Sequence, residues 1–231
     1  MQIAIDGPAG AGKSSVAREV ARRLELAYLD TGAMYRAITL KALNEGIDIG
    51  DERLLSQITR DCDMEILYDD SLGNRMVLDG VDVTEDIRSP QVNQHVSNVA
   101  KSSSVRKELV LLQRDIAKNT SGIIMEGRDI GTNVMTDAPF KFFLSANIEE
   151  RAKRRWLEMK DKNIEVPFDQ LLKEISTRDR IDQEREDAPL SVAHDAIVID
   201  TTSFTLEEVV QKLIEIITTA DQNLQGKGFF E

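Results

Sequence analysis

Residues 7–14 read Gly7-Pro8-Ala9-Gly10-Ala11-Gly12-Lys13-Ser14, a G-x-x-x-x-G-K-S string without a mismatch. A short run of strand formers, Gln2-Ile3-Ala4-Ile5, leads into it through Asp6. Beyond it, Ser15 opens a segment in which Val16, Val20 and Leu24 recur at helical spacing. Strand, glycine-rich turn and helix, in that order, are the context in which this string cradles phosphate. Glycines let successive N–H groups point inward at an anion, where a Cβ would obstruct. The helix adds its unpaired N-terminal N–H groups and the positive end of its dipole. Lys13 can then reach the β- and γ-phosphates, and the Ser14 hydroxyl can take a coordination position on Mg²⁺. Few chains with this opening can be anything but an α/β nucleotide binder.

The rest of the chain decides which one, and composition narrows the field. The chain has 231 residues and a net charge of −12, which argues against nucleic acid or an anionic membrane as partner. A protein this acidic that binds polyphosphate must gather its arginines locally. A lone cysteine, Cys62, allows no internal disulfide and fits a reducing compartment. The first strand begins at residue 2, leaving no room for a signal peptide, and no apolar run approaches membrane-spanning length. The expected location is the cytoplasm.

Along the chain, Ala27-Tyr28-Leu29-Asp30 predicts a second strand, followed by a helix from about Ala33 to Asn44. From Met64 to Ile87 the rhythm changes to three short strands, Met64–Tyr68, Arg75–Leu78 and Val81–Val83. They are separated by the turn signals Asp69–Asn74 and Asp79-Gly80. This predicts a small antiparallel insertion, closed by Pro90. Helices are expected over 91–99 and 103–118, a buried strand at Gly122–Met125 and another at Phe140–Leu144. Charged helices are expected next, at about 148–160 and from the Asn163–Pro167 linker to near Asp187. Ala196–Asp200 predicts the last strand and 206–220 the last helix, with a frayed tail from Asp221. Apolar strands alternating with helices imply an α/β fold with a parallel sheet covered by helices on both faces, a three-layer arrangement.

Residues beyond the phosphate loop constrain the reaction. No guanine-reading N-K-x-D string occurs. Asp70–Gly73 matches D-x-x-G only inside an inferred hairpin turn, and Ile197-Val198-Ile199-Asp200 is read as a strand that simply ends in Asp. Arginines stand at element ends instead: Arg36 on the second helix, Arg128 after a core strand, and Arg178 with Asp182 and Arg185 on one helix face. Arg151, Arg154 and Arg155 occupy the preceding charged helix. A phosphate monoester is already nearly dianionic at neutral pH and needs no general base. Bringing it against an anionic polyphosphate does require bidentate guanidinium groups. Arginine-rich chemistry therefore favours a phosphate acceptor.

Four strings together carry a resemblance: Ile5–Ser14, Leu29-Asp30-Thr31-Gly32-Ala33-Met34-Tyr35-Arg36, Glu126-Gly127-Arg128-Asp129-Ile130-Gly131-Thr132 and Asp187-Ala188-Pro189-Leu190. In order and over essentially the whole chain, including the β insertion, they resemble the bacterial cytidylate kinases. The resemblance implies a single P-loop kinase domain, 1–231, with an acceptor-binding lobe at 31–106 that holds the insertion at about 63–90, and a short lid at 149–166. It implies γ-phosphoryl transfer from ATP to CMP or dCMP with Mg²⁺ bound through Ser14, in a monomer whose partners are small nucleotides. ATP would be held by Gly7, Pro8, Ala9, Gly10, Ala11, Gly12, Lys13, Ser14 and Ser15, with Arg151 and Arg155 from the lid. Lys13, Arg36, Arg128 and Arg185 would act in catalysis, the three arginines on the acceptor phosphate. The pentose falls to Tyr35, Arg178 and Asp182, with Thr31 in the same site, and cytosine to Ser97, Arg106 and Asp129. An ionised Asp accepting from the cytosine amino group, with Arg donating to O2 or N3, is sound chemistry. One departure is visible: Asn133-Val134-Met135-Thr136 stands where the family usually continues with apolar residues and a proline. Two rivals remain. One is a kinase for another small acceptor, either a different nucleoside monophosphate or a hydroxyl substrate such as shikimate with Asp30 as base; the other is a regulatory nucleotide-binding module that uses the insertion as its partner surface.

Overall fold

In chain order the elements are β1 (Gln2–Asp6), α1 (Lys13–Arg23), β2 (Ala27–Asp30), α2 (Thr31–Asn44), α3 (Glu52–Asp61), β3 (Met64–Asp69), β4 (Gly73–Leu78) and β5 (Val81–Asp82). Next come α4 (Pro90–Val99), α5 (Ser103–Asn119), β6 (Ile123–Gly127), β7 (Phe140–Ser145), α6 (Ile148–Asp161), α7 (Phe168–Glu184), β8 (Ile197–Asp200) and α8 (Leu206–Gly226). The structure, a computed structural model, describes residues 1–69, 73–161 and 163–226. Five strands form one parallel sheet in the order β2-β6-β1-β7-β8. β1 is central, so the loop after it opens at the carboxyl edge of the sheet, where open α/β sheets bind ligands.

Strand alternation sorts the two cores. Ile3 and Ile5 of β1 and Ile124 of β6 face one side, with Val16 and Val20 of α1 and Val210 and Leu213 of α8. Ala4, Ile123 and Met125 face the other, with Met34 and Ile38 of α2, Leu55 of α3 and Leu109 of α5. Since successive side chains point to opposite faces, a one-residue slip would exchange the two sets. The three-layer expectation is met.

The insertion is an antiparallel sheet, β3-β4-β5. It is not a free flap. Met76 and Leu78 join the core beneath α2, and the Asn74 amide donates to the Tyr28 carbonyl on the outer edge of β2. Residues 70–72, at the tip of the expected turn, lie outside the described residues, as do 227–231.

Some boundaries differ from expectation, each for a local reason. The α3 helix is additional to those expected; the Asp51 carboxylate caps it by accepting from Leu54 N at 2.9 Å. α2 starts at Thr31 without an intervening loop, because Asp30, the last residue of β2, is also its N-cap and accepts from Ala33 N at 3.0 Å. The glycine-flanked turn after β6 is a short helical turn, Ile130–Val134. α8 continues past Asp221 to Gly226, since no glycine or proline interrupts it sooner. α7 ends at Glu184, short of Asp187.

Phe142, at the middle of β7, is 1% exposed. Phe142→Ala should cost about 3–5 kcal/mol, the range for removing a buried aromatic ring. Urea denaturation checks this as a lower midpoint with an unchanged slope.

Candidate active site

The loop after β1 curls back under α1. Gly7 adopts φ +148°, and a Cβ there would fall 2.0 Å from the Leu144 carbonyl oxygen on β7. Gly12, the N-cap of α1, takes φ +89°; only glycine holds such a conformation cheaply. The Lys13 ammonium donates to the Pro8 carbonyl at 2.8 Å, folding over the loop it belongs to. Ser14 lies in the first turn of α1, half-buried, and Ser15 is exposed.

Behind the loop, α6 and the end of β8 brace it. Arg151 is buried and donates to the Ala9 carbonyl at 3.0 Å and to the Ala146 carbonyl at 2.9 Å, and pairs with Asp179 of α7 at 2.6 Å. The Thr201 hydroxyl reaches the Ala11 carbonyl at 3.2 Å, and Arg154 holds Thr201 in turn. Arg151 is thus bolted to the P-loop backbone, whereas Arg155, paired with Glu158 at 2.9 Å, is partly exposed.

Three acids stand at the carboxyl ends of adjacent strands: Asp6 on β1, Asp30 on β2 and Glu126 on β6. Glu126 is buried and accepts from the Tyr28 hydroxyl at 3.0 Å. Burial, and then the Asp30 charge, raise its pKa. Burial would raise that of Asp30 too, but Arg36, donating at 2.6 Å, and the Ala33 N–H hold it below the usual range. Lys13 feels both sides. Burial and the Arg128 cation push its pKa down to about 7, while Glu126, Asp6 and Asp182 pull the other way.

Across the cleft, Asp129 ties together α5, the Ile130–Val134 turn and the chain just past α7. Its Oδ2 accepts from Arg106 of α5 at 2.5 Å and from the Asn133 amide at 2.9 Å; its Oδ1 accepts from Arg185 at 3.0 Å. Arg185 sits just past α7 and also donates to the Ala188 carbonyl. Arg106 is 1% exposed. It lies 5.9 Å from the Tyr35 ring centroid and donates to the Tyr35 hydroxyl at 3.4 Å. Burial pushes Tyr35 up to about 12. Arg106 Nε has no hydrogen-bond partner, although the Asp187 carboxylate lies 3.7 Å away. Arg128 donates to Asp182 at 2.7 Å. Burial opposes the Asp182 charge, but Arg128, Arg178 and Arg185 hold its pKa low. The Thr31 hydroxyl is committed to the Glu126 carbonyl at 2.8 Å. Ser97 is buried on α4; among the described residues no hydrogen bond joins it to this network.

Four arginines converge. Burial pushes Arg178 down to about 10, with Arg128, Arg36 and Arg155 each adding repulsion. The Nε atoms of Arg178 and Arg36 are buried without partners. Cations that destabilise one another and leave N–H groups unpaired make a site for a strongly anionic guest. Lys13 borders the same cleft through Arg128.

The sequence points to Lys13, Arg36, Arg106, Arg128, Asp129, Arg178, Asp182 and Arg185, but gives Asp6, Tyr28, Glu126 and Asp179 no role. A signal for two of them is present. Asp6 and Glu126 each close an apolar strand run, the same pattern that at Asp200 marks only the end of a strand. The plain reading holds at Asp200, which caps its own turn through Thr202.

A family model described as cytidylate kinase matches residues 3–219. The cytidylate kinase of Caldicellulosiruptor saccharolyticus is 52% identical over 217 residues, covering 94% of this chain and 95% of that protein. That of Bacillus subtilis is 46% identical over 217 residues, covering 94% and 96%. Among solved structures, an uncharacterized protein from Eubacterium ventriosum superposes over 95% of this chain and 98% of its own with a TM-score of 0.50. At 14% identity it shares the fold alone.

The depressed Lys13 pKa has a measurable consequence. A bound polyphosphate would stabilise the ammonium, so ATP binding at about pH 8 should take up a large fraction of a proton. Calorimetry in buffers of different ionisation enthalpy reads this uptake, and Lys13→Met should abolish it.

Proposed function

The chain belongs to the cytidylate kinase family, and from that premise we infer that its cleft transfers the γ-phosphoryl group of ATP to CMP or dCMP, giving CDP or dCDP and ADP. The observation that supports this reading best is the Arg106–Asp129–Arg185 network set beside mutually repelling cations. One part has the donors and acceptors of a base reader, the other the charge of a double phosphate site.

The acceptor phosphate needs no base, so the task of the cleft is to hold two anions in line. Arg36, Arg128 and Arg185 grip the acceptor phosphate. Arg178, assigned to the pentose with Tyr35 and Asp182 by resemblance, has a bare Nε among three other arginines. That setting supports a phosphate contact as well. Lys13 then tracks the transferring group, giving up its bond to the Pro8 carbonyl. Asp129 has three hydrogen bonds, against about four acceptor sites on a carboxylate, which leaves one for the cytosine amino group. Arg106 Nε supplies the donor for cytosine O2 or N3. A hydroxyl acceptor would want Asp30 as base, yet Arg36 and Ala33 N hold its pKa below the usual carboxylate range, which makes it a weak proton acceptor.

The donor set also fits Mg²⁺. Ser14 lies near Glu126, whose carboxylate also feels the Asp30 charge, and hard oxygen donors of this kind suit that cation. Mg²⁺, when bound, neutralises charge on the β- and γ-oxygens. Ser14 would hold it directly and Glu126 and Asp30 would orient its waters. Arg151 serves ATP through the P-loop backbone, and Arg155 is the cation a lid at 149–166 would bring over the phosphates. Closure of that lid and of the lobe at 31–106 excludes water. The working form in this reading is a cytoplasmic monomer; no described helix is long and apolar enough to cross a membrane.

ADP release from Mg-ATP, with CMP, dCMP, UMP, AMP, GMP and shikimate as separate acceptors, tests the whole reading. Fast turnover is expected with CMP and dCMP, weak with UMP and none with purine nucleotides or shikimate. Lys13→Ala should lower turnover by about 10²–10³, the scale for losing one transition-state donor. Arg128→Ala should raise the KM for CMP and lower kcat together. Turnover restricted to another acceptor would discard the base-reading roles, and no acceptor stimulation would discard the kinase.

A further inference from the structure

Asp129 occupies an unusual place. It precedes the helical turn Ile130–Val134, the N-cap position, with φ −147° and ψ 29°. An Asp in that position ordinarily accepts hydrogen bonds from the first N–H groups of its own turn. Here it accepts none of them, because its carboxylate is turned outward to Arg106, Arg185 and the Asn133 amide. The hydrogen bonds within the turn begin later, with Asn133 N and Val134 N on the Asp129 carbonyl and Met135 N on that of Ile130. Ile130 N and Gly131 N would therefore be stranded in the interior, at a cost.

Asp6 meets that need from the other end of the chain. Its Oδ1 accepts from Ile130 N at 2.8 Å and its Oδ2 from Gly131 N at 2.7 Å. It is 4% exposed, at the last position of β1. Register in the sheet puts it opposite Gly127, one residue before Arg128. A Cβ on Gly131 would already touch Asp6 Oδ2 at 3.4 Å and the Lys141 stem at 3.2 Å, so the backbone lies hard against this carboxylate. Burial of such a group is unfavourable: it pushes Asp6 up to about 6 even with both N–H bonds in place, and the Asp129 charge adds to that while Lys13 opposes it.

We propose that Asp6 is a positioning residue for the acceptor site, capping the Ile130–Val134 turn in place of Asp129 so that the Asp129 carboxylate is free to face the base. One residue therefore joins the strand that launches the P-loop to the turn that bears Arg128 and Asp129. When Asp6 is lost, the Asp129 carboxylate becomes the nearest substitute cap. Turning back to the Ile130 and Gly131 N–H groups, it would release Arg106 and Arg185.

The inference rests on Asp129 as the base-facing residue, so the test carries both positions. Steady-state kinetics on the full chain compare wild type, Asp6→Asn and Asp129→Ala with CMP and UMP as acceptors, alongside the KM for ATP and the melting temperature. Asp6→Asn keeps one acceptor oxygen and presents an amide to the other N–H. It should raise the KM for CMP roughly ten- to a hundredfold, the span of one hydrogen bond to a charged group. It should also erode the preference for CMP over UMP as Asp129→Ala does, with a smaller rise in the KM for ATP than in the KM for CMP. Asp6→Ser, with one small acceptor oxygen, should show the same split and serves if the Asn variant does not fold. A lower melting temperature with CMP affinity and base preference intact, while Asp129→Ala loses them, would overturn the role of Asp6 alone. Preserved preference in Asp129→Ala would overturn the base-reading assignment, and this inference with it.

Discussion

Arg36, Arg128, Arg178 and Lys13 press like charges together in one poorly solvated cleft, with Arg155 at its edge, in a protein whose net charge is −12. Coulomb repulsion at a few ångströms is severe once water is excluded. The surrounding architecture moderates it without cancelling it. Asp30 takes Arg36, Asp182 takes Arg128 and Asp129 takes Arg185 and Arg106. Each pairing fixes a guanidinium while leaving N–H groups for a guest, as at Arg36 Nε and Arg106 Nε, and Arg178 Nε is bare as well. Unpaired cations and bare donors suit a strongly anionic guest better than an empty cleft, and they are the preorganised electrostatics that the proposed phosphoryl transfer would use.

Parallel pairing explains why the counter-charges are available there. In a parallel sheet every strand ends on the same edge, so acids that close strands collect at one rim. Asp6, Asp30 and Glu126 come from three strands far apart in the chain, yet register brings Ile5 opposite Glu126 and Asp30 opposite Glu126 on either side of β6. Their environments then separate their tasks. Asp30 is held ionised by Arg36, whereas Glu126 and Asp6 are raised by burial. Asp200 ends β8, the edge strand at the far side of the sheet from β2, and bonds to its own turn.

Support for the phosphate loop is similarly non-local. A loop of glycines has few side chains to hold it, so its carbonyls are tied from outside: Ala9 by Arg151 and Ala11 by Thr201. Arg151 in turn binds Asp179 on α7, the helix that carries Arg178 and Asp182. The phosphate loop and the elements that carry Arg178, Asp182 and Asp129 therefore share a frame through α6 and α7, and again through Asp6.

Local patterning was enough to determine the phosphate loop, the parallel α/β sheet, the antiparallel insertion and the arginine-rich character of the chemistry. Each of these is written in short-range spacing: glycines before Lys13, alternation along β1, helical periodicity at Val16 and Val20. α3 escaped that reading, although Asp51 and the Leu54, Leu55, Ile58 spacing were there to be seen. Only the tertiary structure decided which arginines are structural and which face the cleft. Arg151 and Arg155 share a helix and a residue type, but one is buried against Ala9 and the other is not. Only the tertiary structure, too, could assign Asp6 to the turn 124 residues away. A carboxylate at the end of a strand carries no local mark of the N–H groups it will meet, because those partners are set by sheet order, and sheet order is a property of the whole packed chain.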